Sequence, residues 1–193
     1  TIGLENWYNH KLWFMAKIPF DLNYVPIFSE YILRILGNKL GNSKRCLICD
    51  LDNTLWGGVI GDDGLDGILI GNGDPVSEAH LDLQKIILEI RNRGIVLAIC
   101  SKNNEKNALL PFKKHPEMIL KEKHFAIIQA NWTDKASNIR LIAKSLSLGL
   151  ESMVFLDDNP VERAQVRQEL PEVAVPELPN DPSLFAKTLL SAG

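Results

Sequence analysis

The chain has 193 residues, 46% of them hydrophobic and 23% charged, the composition of an ordinary globular domain with a sizeable core. A formal net charge of -3 removes any global electrostatic case for nucleic acid or an anionic membrane surface. No apolar run approaches the roughly 20 residues that span a bilayer, and the start, TIGLENWYNHKLW, lacks the basic-then-apolar order of a signal peptide.

Three cysteines, Cys46, Cys49 and Cys100, are too few for a disulfide framework and point to a reducing cytoplasm. A start at Thr1 rather than Met suggests a piece of a longer protein.

In chain order, residues 1–43 form a lead-in. ENWYNHKLWFMAKIPFDLNYVP carries two Trp and two Tyr with no clear period. PIFSEYILRILGNKLG then places Ile27, Tyr31, Ile32, Ile35 and Leu36 at helical spacing. The expectation is a helix packed on the main domain, with a partner-docking segment as the alternative.

From Lys44 to the end, short apolar runs alternate with helical patterns. The runs are Cys46–Cys49, Ile95–Cys100 (IVLAIC), Phe125–Ile128 (FAII), Met153–Leu156 (MVFL) and a fifth at Val173–Val175 (VAV). Between them lie SEAHLDLQKIILEIRNRG, a short helix near Asn104–Phe112, DKASNIRLIAKSLSLG with Gly149 as its stop, and a helix from about Pro160. This order predicts an α/β fold in three layers, a mostly parallel sheet covered by helices on both faces. One segment breaks the alternation: residues 55–76 hold seven glycines and hint at two short strands, GVIG and GILIG. They read as a small flap or hairpin, with no large cap domain.

Ligands of an open parallel sheet bind at the carboxyl ends of its strands. The first run ends in Asp50, Asp52 and Thr54, and the second in Ser101, Lys102 and Asn103. After the third comes Lys135, and after the fourth come Asp157 and Asp158. Four carboxylates at one edge repel one another and need a cation. An all-oxygen donor set suits magnesium better than zinc. A lysine beside magnesium is a clamp for phosphate, and an Asp there can attack phosphorus while a second Asp shuttles the proton. The bland alternative is a pair of strand-end carboxylates that cap a turn.

DLDNT, CSKN, DK and LDDN, in that order, resemble the four motifs of the haloacid dehalogenase (HAD) superfamily over about residues 44–176. The resemblance implies Asp50 as nucleophile, Asp52 as acid/base, and Ser101 and Lys135 as the phosphate-holding pair. It implies a magnesium site at Asp50, the Asp52 carbonyl and Asp158 with Asp157 alongside; which of the last two binds directly stays open. DLDNTLWGGVIGDDGLDGI, LAICSKNNE, NWTDKASNI and FLDDNPVER resemble, more narrowly, the FkbH-like domains of polyketide assembly lines.

That narrower resemblance implies a small phosphorylated three-carbon donor, 1,3-bisphosphoglycerate. It also implies loss of both phosphates and transfer of a glyceryl unit to the phosphopantetheine arm of an acyl carrier protein. Cys100 is then expected at the mouth of the site as a thiolate that takes the acyl group, favoured by Lys102, Lys135 and magnesium; the alternative is a core cysteine. Cys46 reads as core, and Cys49 as core by preference. Trp56 and Trp132 read as packing, Glu162 and Arg163 as site organisers or a surface pair, and His80, His115 and His124 as structural or exposed. A phosphatase without transfer, or an inactive docking domain for a carrier protein, are the competing functions.

Overall fold

The computed structural model describes residues 3–39 and 43–191. They fall into two compact units, Thr1–Ser43 and Lys44–Gly193.

The first unit is built on aromatic contacts. Helices α1 (Leu4–Trp7), α2 (His10–Ala16) and α3 (Val25–Lys39) are joined by turns. The Trp7 ring lies 5.2 Å from Phe20 and 5.7 Å from Tyr24, and Phe20 lies 4.8 Å from Phe28. The aromatic run has no helical period because its rings meet across turns rather than along one face. Asn9 fixes the geometry twice: its Oδ1 accepts from Leu12 N and its Nδ2 donates to Asp21 Oδ2 at 2.8 Å. On α3, Ile27, Tyr31, Ile32, Ile35 and Leu36 all stand exposed.

The second unit carries strands β1 (Cys46–Cys49), β2 (Val96–Ser101), β3 (Phe125–Ala130) and β4 (Met153–Leu156). They form one parallel sheet in the order β3-β2-β1-β4. Strand alternation sorts the side chains. Leu47, Cys49, Leu97, Ile99 and Leu156 join one core with Leu83 and Ile87 of α5 (Pro75–Asn92), Phe112 of α6 (Glu105–Lys114), and Phe185 and Leu189 of α9 (Phe185–Ser191). Cys46, Ile48, Ala98, Cys100, Met153 and Phe155 join the other, under Ile139 and Ile142 of α7 (Lys135–Leu146) and Val166 of α8 (Pro160–Glu169). Helices thus cover both faces, which gives three layers; no large cap is present among the described residues. No helix among them is long and apolar enough to cross a membrane.

Three local expectations change. Between residues 55 and 76 there is no hairpin of two strands. A single antiparallel bridge, Gly57–Leu69, closes a loop around helix α4 (Ile60–Gly67). Asp52 Oδ1 accepts from Ile60 N and Asp63 Oδ2 from Val59 N, so acidic side chains satisfy the donors at the start of a helix that GVIG would have spent in a strand. Gly58 is required there: its φ is +87°, and an added Cβ would sit 2.6 Å from Asp63 Oδ2. The fifth run gives one parallel bridge, Val154–Ala174, rather than a strand. Helix α7 stops at a left-handed Ser147 (φ 54°), two residues before Gly149.

Candidate active site

The ends of β2, β3 and β4 each deliver a polar group to the sheet edge and then cap the next helix. Asn104 accepts from Lys106 N to start α6, Asp134 from Ser137 N to start α7, and Asn159 from Val161 N to start α8, with Pro160 at its first position. The strand spacing and the caps together bring Asp50, Asp52, Asn53, Ser101, Lys102, Lys135, Asp158, Asn159 and Glu162 around one cavity of about 180 Å³.

Lys135 is its electrostatic centre. The lysine is 3% exposed, with Nζ 3.0 Å from Asp50 Oδ1 and in a short contact with Asp157 Oδ2. Burial alone would lower the ammonium, but the Asp50 and Asp157 carboxylates outweigh it and hold it raised. Asp157 is fully buried and is pushed up to about 7 by desolvation and by Asp50, against the pull of Lys135. Asp158 is raised for the first two reasons. Its Oδ1 accepts from Thr54 Oγ1 at 3.0 Å, and Thr54 Oγ1 in turn accepts from Asp158 N.

Asp52 sits among neutral donors. Its Oδ1 accepts from Trp56 Nε1 and Ile60 N, both at 3.0 Å, and its Oδ2 from Asn103 Nδ2 at 2.8 Å. Oδ1 is thereby filled and Oδ2 keeps one free lone pair. Burial raises this carboxyl despite those bonds.

Oxygens of Asp50, Asp157 and Asp158 lie within 4.8 Å of one another. Asp50 Oδ1 is buried without a well-aligned hydrogen bond, its nearest positive group being Lys135 Nζ. An oxygen-only, desolvated, mutually repelling set fits a hard divalent cation.

Of the expected residues, Asp50, Asp52, Ser101, Lys102, Lys135 and Asp158 line the cavity. Thr54, Asn103 and Asp157 stand behind it as partners of Asp158, Asp52 and Lys135. Cys100 does not sit at the mouth. Its side chain belongs to the core under α7, is 0% exposed, and its Sγ lies 3.8 Å from the Lys135 carbonyl. Desolvation pushes its thiol up to about 12, outweighing the nearby Lys135 ammonium, so the expected thiolate is not favoured here. Trp132 is 76% exposed, whereas Trp56 is buried against Phe112 and also holds Asp52.

Two supports escape sequence reasoning in detail. Arg163, itself buried, donates to the carbonyls of Asp157 (2.8 Å) and Asp158 (2.6 Å) and is balanced by Glu177. His80 and Gln84 on α5 tie down the loop after β1, His80 Nδ1–H donating to Thr54 O and Gln84 Nε2 to Leu55 O, each at 2.9 Å. Only the spacing of His80 and Gln84 on one helix turn hinted at a shared target.

No protein-family model matches the chain, and no curated protein matches it. Solved structures do. Over 99% of its length the chain superposes, at TM-score 0.84 and 44% identity, on the N-terminal part of the protein BF1531 from Bacteroides fragilis, a crystal structure containing a phosphatase domain complexed with Mg. It covers 51% of that protein's chain, so it spans about half that length. A HAD family enzyme, bt-2542 from Bacteroides thetaiotaomicron, in complex with magnesium and inorganic phosphate, is 13% identical, with TM-score 0.46 over 70% of this chain and 94% of its own. 3-Deoxy-D-manno-octulosonate 8-phosphate phosphatase from Moraxella catarrhalis is 18% identical, with TM-score 0.43 over 78% of each chain. The three-layer fold is HAD-like, with the four motifs in place at its strand ends.

Proposed function

We propose that this domain is a magnesium-dependent phosphohydrolase acting on small phosphate monoesters. The observation that carries the reading is Lys135, buried between Asp50 and Asp157 at the edge of a cavity that also holds Asp52, Ser101 and Asp158. Asp50 attacks phosphorus, the bond from phosphorus to the ester oxygen breaks, and the proton on Asp52 passes to that leaving oxygen. Asp52, now a base, takes a proton from water as the water attacks the aspartyl-phosphate, which frees phosphate and restores Asp50. Lys135 and the Ser101 hydroxyl hold the phosphoryl oxygens. Asp50, Asp158 and the Asp52 carbonyl would hold magnesium, which would supply the charge that offsets the phosphoryl oxygens. Asp158 lines the cavity and would be the direct ligand; Asp157, sealed behind, anchors Lys135.

The finer reading is transfer of a glyceryl unit from 1,3-bisphosphoglycerate to an acyl carrier protein in polyketide biosynthesis. It rests on the FkbH-like motifs and is favoured by the lack of a large cap among the described residues of the second unit, which would leave an approach for a phosphopantetheine arm. For Cys100 to carry the acyl group, the first turn of α7 has to lift from β2 to uncover its sulfur. Three free, buried cysteines suit the reducing cytoplasm in which we place the reaction.

One experiment tests both levels. Protein is incubated with phosphate monoesters or with 1,3-bisphosphoglycerate and a carrier protein, with magnesium or a chelator. Phosphate release is measured, and intact masses are recorded. Release should stop with the chelator and fall at least about a thousandfold in folded Asp50→Asn. Release by Asp50→Asn near the wild-type rate would remove the first reading. A glyceryl adduct on wild type that is lost in Cys100→Ser would support the second, and its absence from enzyme and carrier would remove it.

A further inference from the structure

The cavity has a second cation that the phosphate chemistry does not use. Lys102 follows Ser101 directly, so its side chain starts about 3.8 Å of backbone beyond the phosphate-holding serine, and both line the cavity with Asp50. Its Nζ donates to Glu162 Oε1 at 2.6 Å. Glu162 comes from the first turn of α8, its side chain 13% exposed, and its Oε2 is buried without a hydrogen-bond partner among the described residues. An exposed lysine pair on a surface is worth little and wanders. Here one partner is nearly buried and fixed on a capped helix, so the ammonium is held over the opening.

An ammonium has three donors and Glu162 takes one. The Lys102 side chain is 37% exposed, and the other two N–H groups meet no protein acceptor among the described residues. The cavity is lined by four carboxylates and two lysines, so a divalent cation balances it and leaves an ester's further charge to be met locally. What Lys102 already binds shows what it fits: a single carboxylate at charge-assisted distance. At about 180 Å³ the cavity admits a phosphoryl group and a few carbons, slightly more than the 150 Å³ or so that encloses benzene.

Resting on the phosphohydrolase reading, we propose that Lys102 is a specificity-determining residue, positioned by Glu162, that selects small phosphate monoesters whose alcohol also bears a carboxylate. Phosphate lies at Ser101 and Lys135, and the carboxylate meets the two free N–H groups of Lys102 across the mouth. Esters of the same length without the carboxylate leave those donors to water.

The test compares two esters that differ in that group alone, 3-phosphoglycerate and glycerol 3-phosphate, in the presence of magnesium. Binding is read by calorimetry on Asp50→Asn, which keeps the cavity's shape, and kcat/KM on the otherwise wild-type protein. The carboxylated ester should bind at least about tenfold tighter, the preference expected of a charge-assisted contact. Lys102→Met should erase that preference through its effect on the carboxylated ester, with glycerol 3-phosphate binding changed less than about twofold. Glu162→Gln should reduce the preference without abolishing it. Equal binding of the two esters, or a preference that survives Lys102→Met, would overturn the assignment. A binding preference without phosphate release from either ester would leave Lys102 in this role and remove the hydrolase reading; release without preference would do the reverse.

Discussion

Asp50 and Asp52 are one residue apart, yet they face different halves of the site. Towards β4, α7 and α8 charged groups dominate: Lys135, Asp157, Asp158, and Arg163 on the carbonyls behind them. Towards the flap and α5 the donors are neutral: the Trp56 indole, the Ile60 amide and Asn103, with His80 and Gln84 holding the loop's own carbonyls. A nucleophile needs its negative charge and so gains from an ammonium beside it. An acid needs its proton, and burial, which raises the Asp52 carboxyl against the hydrogen bonds it accepts, works in that direction. The contrast teaches that charge changes on the first side should act on chemistry and stability together, while changes among the neutral supports of the second should act on stability with little effect on chemistry.

Lys135→Met should have the largest effect, because it leaves two buried carboxylates facing each other. Breaking a buried pair costs about 3–5 kcal/mol, and with the phosphate clamp gone the phosphatase rate should fall at least about a hundredfold. Magnesium should then raise the melting temperature more in Lys135→Met than in the wild type, because a cation that binds only the folded state also relieves the repulsion. A variant with wild-type stability in a chelator would break the idea of a charged half.

Gln84→Ala probes the neutral half. Gln84 is fully buried; it donates to Leu55 O and accepts from Ile119 N and Leu120 N at 3.2 and 3.1 Å. The change strands several backbone groups at about 1–3 kcal/mol each, partly relieved by entering water. Chemical denaturation should therefore show a loss of about 2–4 kcal/mol, with kcat below the melting range within about threefold of wild type. A large loss of kcat at full folding would erase the distinction between the halves.

How much of this was legible depended on period. Strand alternation and strand-end polarity are written in adjacent residues, so Asp50, Ser101, Lys135 and Asp158 could be placed together before any coordinate was known. The same alternation tells against Cys100 at the mouth. It shares a sheet face with Ala98 and Ile48 under α7, and the family motif drew attention past that parity. The flap misled because its glycines suit a turn or a helix start equally, and the deciding contact, Asp52 with Ile60 N, depends on where a side chain points. Gln84 was illegible, and Arg163 was legible only as a site organiser or surface pair, for a further reason: each bonds backbone carbonyls, which every residue carries, so no partner residue signals the contact.

The smallest effect is a dependence on pH through His80. The ring is 1% exposed and donates through Nδ1–H to Thr54 O; it meets Phe185 edge-on at 5.9 Å, and its Nε2 lies towards Gly57. No carboxylate is hydrogen-bonded to it. Burial lowers this imidazole from its ordinary 6.5, against the pull of the Thr54 carbonyl. The unfolded chain therefore takes up the proton first as pH falls. The stability that neutral His80 gives is fully present above 6.5 and is lost as pH drops through that value towards the lower folded one. His80→Asn keeps a donor near Thr54 O but has no charge to gain. Its melting temperature should lie below wild type at pH 7.5, and the gap should narrow steadily towards pH 5.5. His124, also lowered by burial, is common to both proteins and cancels in the difference. Melting curves that stay parallel over that range would mean that His80 does not titrate between folded and unfolded chains, and that the neutral half holds its loop by shape alone.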